Sequence, residues 1–260
     1  MSGQIHTGRV WPGRLRTLLV PLLIAAGLLL VLDRPVLEWL LRLLFPGTSE
    51  VIYPRASLTG MLLAHLLLVG VSSVAAALVG IPLGIFVTRR QGSDFLPLVQ
   101  DLSSLAQTFP PVAVLALAVP VLGFGFKPAI AALFLYSILP VINNTIAGLQ
   151  SVPPTVVEAS RGMGMTPRQI LFATELPIAA RVIAAGVRTS VVINVGTATV
   201  GAVAGAGGLG VAIVAGLVRD NTAFVLEGAA TAAFLALTVD WIFARIERLF
   251  YAPQRGASDA

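Results

Sequence analysis

Long stretches without charge recur along this chain: Thr17 to Leu32, Leu58 to Val87, Leu102 to Phe126, Pro128 to Val157, Thr189 to Val218, and Gly228 to Ala244, the last broken only by Asp240. About 20 mainly apolar residues let a helix span a bilayer, where every backbone polar group must be satisfied within the segment. The pattern predicts an all-α, polytopic membrane helical bundle of about six transmembrane helices. Several runs exceed that length, so their ends extend into loops, and Leu102 to Thr108 is expected at the interface.

The same pattern divides the chain into an N-terminal helix with an extracytoplasmic loop (1–56), a transmembrane core (57–249) and a short cytoplasmic tail (250–260). Arg9, Arg14 and Arg16 precede the first run as in a signal peptide, but no clear small-residue cleavage site follows before Asp33-Arg34-Pro35, so a retained helix is expected. Between the first two runs, Pro35 to Phe45 mixes Leu37, Trp39, Leu40 and Leu44 with Glu38 and Arg42. That mixture suits either a short helix lying in the membrane interface or plain loop packing.

Composition agrees with a bilayer as solvent: 57% of residues are hydrophobic, 11% are charged, and mean hydropathy is +0.91. The net charge of +5 does not point to nucleic acid, because basic residues are scattered between apolar runs instead of lining one stripe. They read as topology. With an even number of crossings, Arg34, Arg42, Arg55, Lys127 and Arg219 fall on one side and the remaining 12 of the 17 basic residues on the other. Both termini and the segment 150–188 are therefore expected in the cytoplasm. The absence of cysteine removes disulfides and thiolate chemistry from consideration.

The segment between the fourth and fifth runs carries the most information. Thr155 with Glu158 three residues later is a capping-box pattern, predicting a helix start. Gly162 and Gly164 weaken that helix, and Thr166-Pro167-Arg168-Gln169 predicts a second start. A helix, a turn and a second helix are more than a bundle connection of about 2–8 residues needs, so a docking surface is expected.

Here the chain resembles the permeases of binding-protein-dependent ABC importers. Their cytoplasmic loop reads Glu-Ala-Ala, three residues, Gly, nine residues, Ile, one residue, Leu-Pro. This chain has Glu158-Ala159-Ser160, Gly164, Thr174, Glu175 and Leu176-Pro177 at that spacing, with Ser160 and Thr174 as departures. The resemblance implies a type I (MetI-like) permease fold in the bacterial inner membrane. It also implies a coupling loop over residues 154–177 in which Glu158, Ala159, Ser160, Gly162, Gly164, Leu176 and Pro177 engage the ATPase. The implied partners are ABC ATPase subunits, a second permease subunit, identical or paralogous, an extracytoplasmic substrate-binding protein and membrane lipid.

Gly205-Ala206-Gly207-Gly208-Leu209-Gly210 formally fits a dinucleotide fingerprint but follows an apolar run instead of a strand, so tight turns and helix packing are the expected roles. No phosphate-binding G-x-x-x-x-G-K-[ST] segment occurs, and the sole lysine is Lys127, which places ATP hydrolysis in another subunit. No cofactor or metal constellation is expected. The stretch Gly186 to Thr199, continuing to Gly210, is similar to the osmoprotectant permeases for glycine betaine, choline and related quaternary amines. Gln107 to Pro120 with Gly123-Phe124-Gly125 is similar to their Yeh-type branch. That resemblance implies osmoprotectant import. A permease for another solute such as an amino acid is the alternative, and an ion-coupled secondary transporter a more distant one, since neither inverted repeats nor paired acidic residues stand in the runs.

Polar residues inside the runs have two readings each. Asn143, Asn144, Asn194, Thr197 and Thr199, with His65, line a translocation path or hold helices together. Asp240 is a pathway or counter-charge residue, or a helix-end residue near Arg245. Pro82, Pro110, Pro111, Pro120 and Pro140 predict breaks or kinks. No aromatic cluster forms a cation cage, a task the resemblance assigns to the binding protein.

Overall fold

The structure, a computed structural model, describes Pro21, Ile24, Gly27 and residues 33 to 250. The rest of the first predicted span, the tail after 250 and Arg9, Arg14, Arg16 and Arg255 lie outside the described residues. In chain order the described helices are α1 (Arg34–Leu44), α2 (Leu58–Val87), α3 (Leu96–Thr108), α4 (Pro111–Leu122), α5 (Phe126–Gln150), α6 (Pro154–Gly162), α7 (Pro167–Ile170), α8 (Leu176–Thr197), α9 (Gly210–Val218) and α10 (Thr222–Phe250). A π-helical turn, Leu171–Glu175, joins α7 to α8, and a 3-10 turn, Ala198–Ala204, extends α8.

Four described stretches are long and apolar enough to cross a membrane: Leu58–Val87, Phe126–Gln150, Pro167–Ala204 and Thr222–Glu247. Two of the predicted spans take a different form. The third run is two helices, α3 and α4, because Pro110 and Pro111 lack N–H donors and the residue before a proline is pushed to extended backbone. Phe109 and Pro110 accordingly sit at ψ 132° and 138°, and the Tyr136 hydroxyl donates to the Phe109 carbonyl at the break. The fifth run starts far earlier than Thr189, as part of a 38-residue helical stretch from Pro167. It also ends earlier, where Gly205, Gly207 and Gly208 at φ 76°, 83° and 79° turn the chain into α9. Arg181 and Arg188 consequently sit within α8 instead of in a loop.

Helix α5 is the centre of the bundle, parallel to α2 and antiparallel to α8. Small residues set the spacing. A methyl on Gly84 of α2 would lie 2.7 Å from Thr145 Cβ, and one on Gly148 of α5 would lie 3.1 Å from the Ala179 carbonyl of α8. In lipid, where apolar side chains gain little by leaving the solvent, such backbone proximity carries helix association. Buried Leu68, Leu133, Val195, Leu209 and Phe224 form the main core, while Leu63, Leu78, Leu117 and Leu217 face outward, as lipid or a further chain requires. Helix α1 turns Leu37 and Leu41 inward against Val51 and Ala223, and leaves Trp39, Leu43 and Leu44 exposed.

Candidate functional site

Helices α6 and α7 stand at one end of the bundle, beyond the ends of α2 and α5. Helix α6 does not begin with the Thr155–Glu158 capping box the sequence predicted: Pro153 is the cap residue and makes no side-chain cap bond, and Pro154 opens the helix. The physical reason is that Pro154 fixes a helical φ and extends the residue before it, so Thr155 is already inside the first turn. At the other end, Gly164 N–H bonds the Arg161 carbonyl at 2.9 Å and Met165 N–H the Ser160 carbonyl at 3.2 Å, a Schellman closure with Gly164 at φ 81°. Thr166 then caps α7 as its sequence foretold: its hydroxyl accepts from Gln169 N–H, and the Gln169 side chain accepts from Thr166 N–H at 2.8 Å.

Along α6 the residues are exposed or half-exposed except Ser160. Glu158, Ala159 and Gly162 face outward, Val156 and Met163 add exposed apolar surface, and Phe172 follows on the turn. Leu176 tucks into a cluster with Leu149, Ala179 and Ile85, whereas Pro177 is exposed in the first turn of α8. Pro177 has no N–H to return to Ala173, which relaxes the preceding turn into the π form. The two departures from the family motif touch each other: the Ser160 and Thr174 hydroxyls are 3.2 Å apart, and Ser160 also donates to the Val156 carbonyl. A polar pair stands where the motif has two apolar residues.

One ion pair at this end was not legible in the sequence. Arg89, just past α2, places its guanidinium 2.6 Å from the Glu175 carboxylate on the π-helical turn, 86 residues away. No local spacing joins them.

The candidate path residues do not form one group. Asn194 is fully buried and donates from Nδ2 to Ser72 and Ser73 of α2, at 2.9 Å each, so it clamps α8 to α2. His65 is also fully buried. Leu209 N–H donates to its Nδ1, which puts the ring proton on Nε2, donating to the Val195 carbonyl at 2.9 Å. Gly208, whose added methyl would meet this ring at 3.0 Å, shows what the glycine run does: it seats the turn on the imidazole. Asn144 donates to its own helix at Pro140 and packs on Gly186, Thr197 and Thr199 donate to carbonyls in their own turns, and Asn143 is half-buried.

Two acidic residues of α10, Asp240 and Glu227, find partners on other segments. Asp240 takes a bidentate pair from Arg188 of α8 at 2.7 and 2.8 Å, and the same guanidinium reaches Glu247 at 3.3 Å. Arg245 lies over the Trp241 ring at 5.3 Å. Glu227, which the hydropathy reading left just outside the last run, is 1% exposed. Its Oε2 accepts from Tyr53 N–H at 2.8 Å, and it borders a cavity of about 90 Å³ with Arg34, Ser57 and Thr59, roomy and polar enough for water. The only forewarning was Asn221, whose side chain accepts from Ala223 and Phe224 N–H and marks a helix start ahead of Gly228.

The bundle is that of a helical membrane protein, with four described stretches long and apolar enough to span a bilayer. It has the fold of the MetNI methionine ABC transporter in its inward-facing conformation (TM-score 0.65, 23% identity, 74% of this chain and 95% of that chain). It shares it too with an amino acid ABC transporter (TM-score 0.59, 18% identity, 74% and 92%). Residues 80–250 match the family described as binding-protein-dependent transport system inner membrane component, and the chain belongs to that family. Relatives include the osmoprotectant import permease protein OsmY of Salmonella typhimurium, 43% identical over 69% of this chain and 76% of its own length. The glycine betaine/carnitine/choline transport system permease protein OpuCD of Bacillus subtilis is 42% identical over 71% and 80%. The choline transport system permease protein OpuBB of Bacillus subtilis is 38% identical over 71% and 84%.

Proposed function

We propose that the chain is the permease subunit of an ATP-driven importer of osmoprotectants, the quaternary amines glycine betaine, choline and their relatives. The observation that carries this reading is the α6–α7 unit: an exposed helix, closed by Gly164 and recapped by Thr166, standing off the bundle with the importer loop motif on it. Relatives named for osmoprotectant, choline and carnitine transport support the substrate class. In this reading Glu158, Ala159, Gly162 and Met163 dock into an ATPase subunit, which performs the hydrolysis. A second permease subunit completes the path, and a binding protein delivers the substrate. The excess of basic residues on the α6 side supports a cytoplasmic position for this loop and both termini.

Uptake of labelled glycine betaine and choline, by cells expressing this chain with its ATPase and binding protein, tests the reading beside a Gly164→Asp control. Uptake in the parent and its loss in the control are expected. An assembled complex whose ATPase answers its binding protein but which carries neither compound overturns the substrate class, with amino acids the next solutes to try.

A further inference from the structure

An exposed helix docked on an ATPase moves substrate only if its displacement reaches the spans, and the structure shows how α6 is attached to them. Its single buried side chain, Ser160, is 3% exposed and meets Thr174 at 3.2 Å. Thr174 sits on the π-helical turn, where the ordinary i to i−4 ladder is interrupted ahead of Pro177. Such turns are the pliable points of a helix and concentrate at functional sites. The next residue, Glu175, is 8% exposed and holds Arg89 at the end of α2. Beneath the pair, Leu171 and Leu176 pack with Leu149 of α5 and with Ile81 and Ile85 of α2.

We propose that Arg89 and Glu175 are the positioning residues that transmit movement of α6 to the transmembrane helices. The sequence of contacts is Ser160 to Thr174, then across one peptide to Glu175, then to Arg89 and α2. Because the turn also opens α8, a push on α6 displaces α8 and α2 together while the ion pair is closed, and lets them move apart when it opens. The pair is suited to opening. Arg89 retains about a third of its side-chain exposure, so water can replace the carboxylate, and its buried Nε has no partner in the closed arrangement, leaving a donor for an alternative one. An ion pair serving only to fasten the loop would gain from full satisfaction of the guanidinium.

This proposal rests on the reading of α6 as the ATPase-docking helix, and its test separates the two. The complete transporter is reconstituted in liposomes, and uptake of glycine betaine and hydrolysis of ATP are measured together. Glu175→Gln is expected to lower uptake per ATP by at least about fivefold, the lower range of site-to-site coupling. The charge-swapped Arg89→Glu/Glu175→Arg variant is expected to recover most of it. Arg89→Lys, which keeps the charge but loses the planar fork, is read the same way where the glutamine variant fails to assemble, and a fall in the ratio is expected there too. An unchanged ratio, a proportional fall of uptake and hydrolysis, or no recovery in the swap overturns the proposal while leaving the importer reading intact. A wild-type complex whose hydrolysis ignores its binding protein overturns both.

Discussion

At Asn194 the geometry favours the helix-holding reading of a polar side chain in a span over the pathway reading. This residue lies in a run similar to transporters and carries an amide, yet both its N–H donors are spent on Ser72 and Ser73 in a fully buried contact. Interhelical hydrogen bonds of this kind are worth about 0.6 kcal/mol each and up to about 1.7. Asn194→Ala is therefore expected to destabilise the purified complex by about 1 kcal/mol, read as a lower Tm in detergent, with KM for uptake unchanged. A raised KM at unaltered Tm would return Asn194 to the path. Ser160 and Thr174 carry the converse lesson: each looks like a mild departure alone, and their contact makes them one substitution.

At the scale of elements, α6 and α7 were readable because caps are local. The Thr166 box needs only residues 166 to 169, and the break at Gly164 needs only a positive φ that glycine accepts. The misplaced start of α6 has a local cause as well, two prolines overriding a capping pattern. Thr166→Ala is expected to cost about 1 kcal/mol of helix stability. Hydrogen exchange should report faster exchange at 168–170, with Thr166→Ser near the parent; equal protection in the alanine variant would show the cap to be idle. The third and fifth spans were misjudged for a related reason: hydropathy measures how apolar a run is, while Pro110-Pro111 and the glycines from 205 decide where its helices stop.

For the whole molecule, assembly depends on glycines that let α2, α5 and α8 approach. A side chain at Gly186 meets Asn144 Cβ and the Pro140 carbonyl, whereas one at Gly162 meets nothing within 4 Å. Gly186→Leu should fail to accumulate in the membrane fraction, and Gly162→Ala should accumulate like the parent, as quantified by immunoblot. Comparable levels of both would refute the view that this packing limits assembly. The Arg188–Asp240–Glu247 group acts at the same scale, joining α8 to α10 across more than 50 residues of sequence.

The class of fold, the existence of most spans and the α6–α7 turn followed from the chain alone, since apolar run length, proline, glycine and capping residues act through neighbours in sequence. The clamps at Asn194, His65, Arg188–Asp240, Tyr53–Glu227 and Arg89–Glu175 did not. Each joins groups 50 to 175 residues apart, and their partners are chosen by which helices the glycines bring together and at what height along one another. That height is a property of the packed bundle, where each buried polar group must find its partner from another helix, and no periodicity along one helix encodes it.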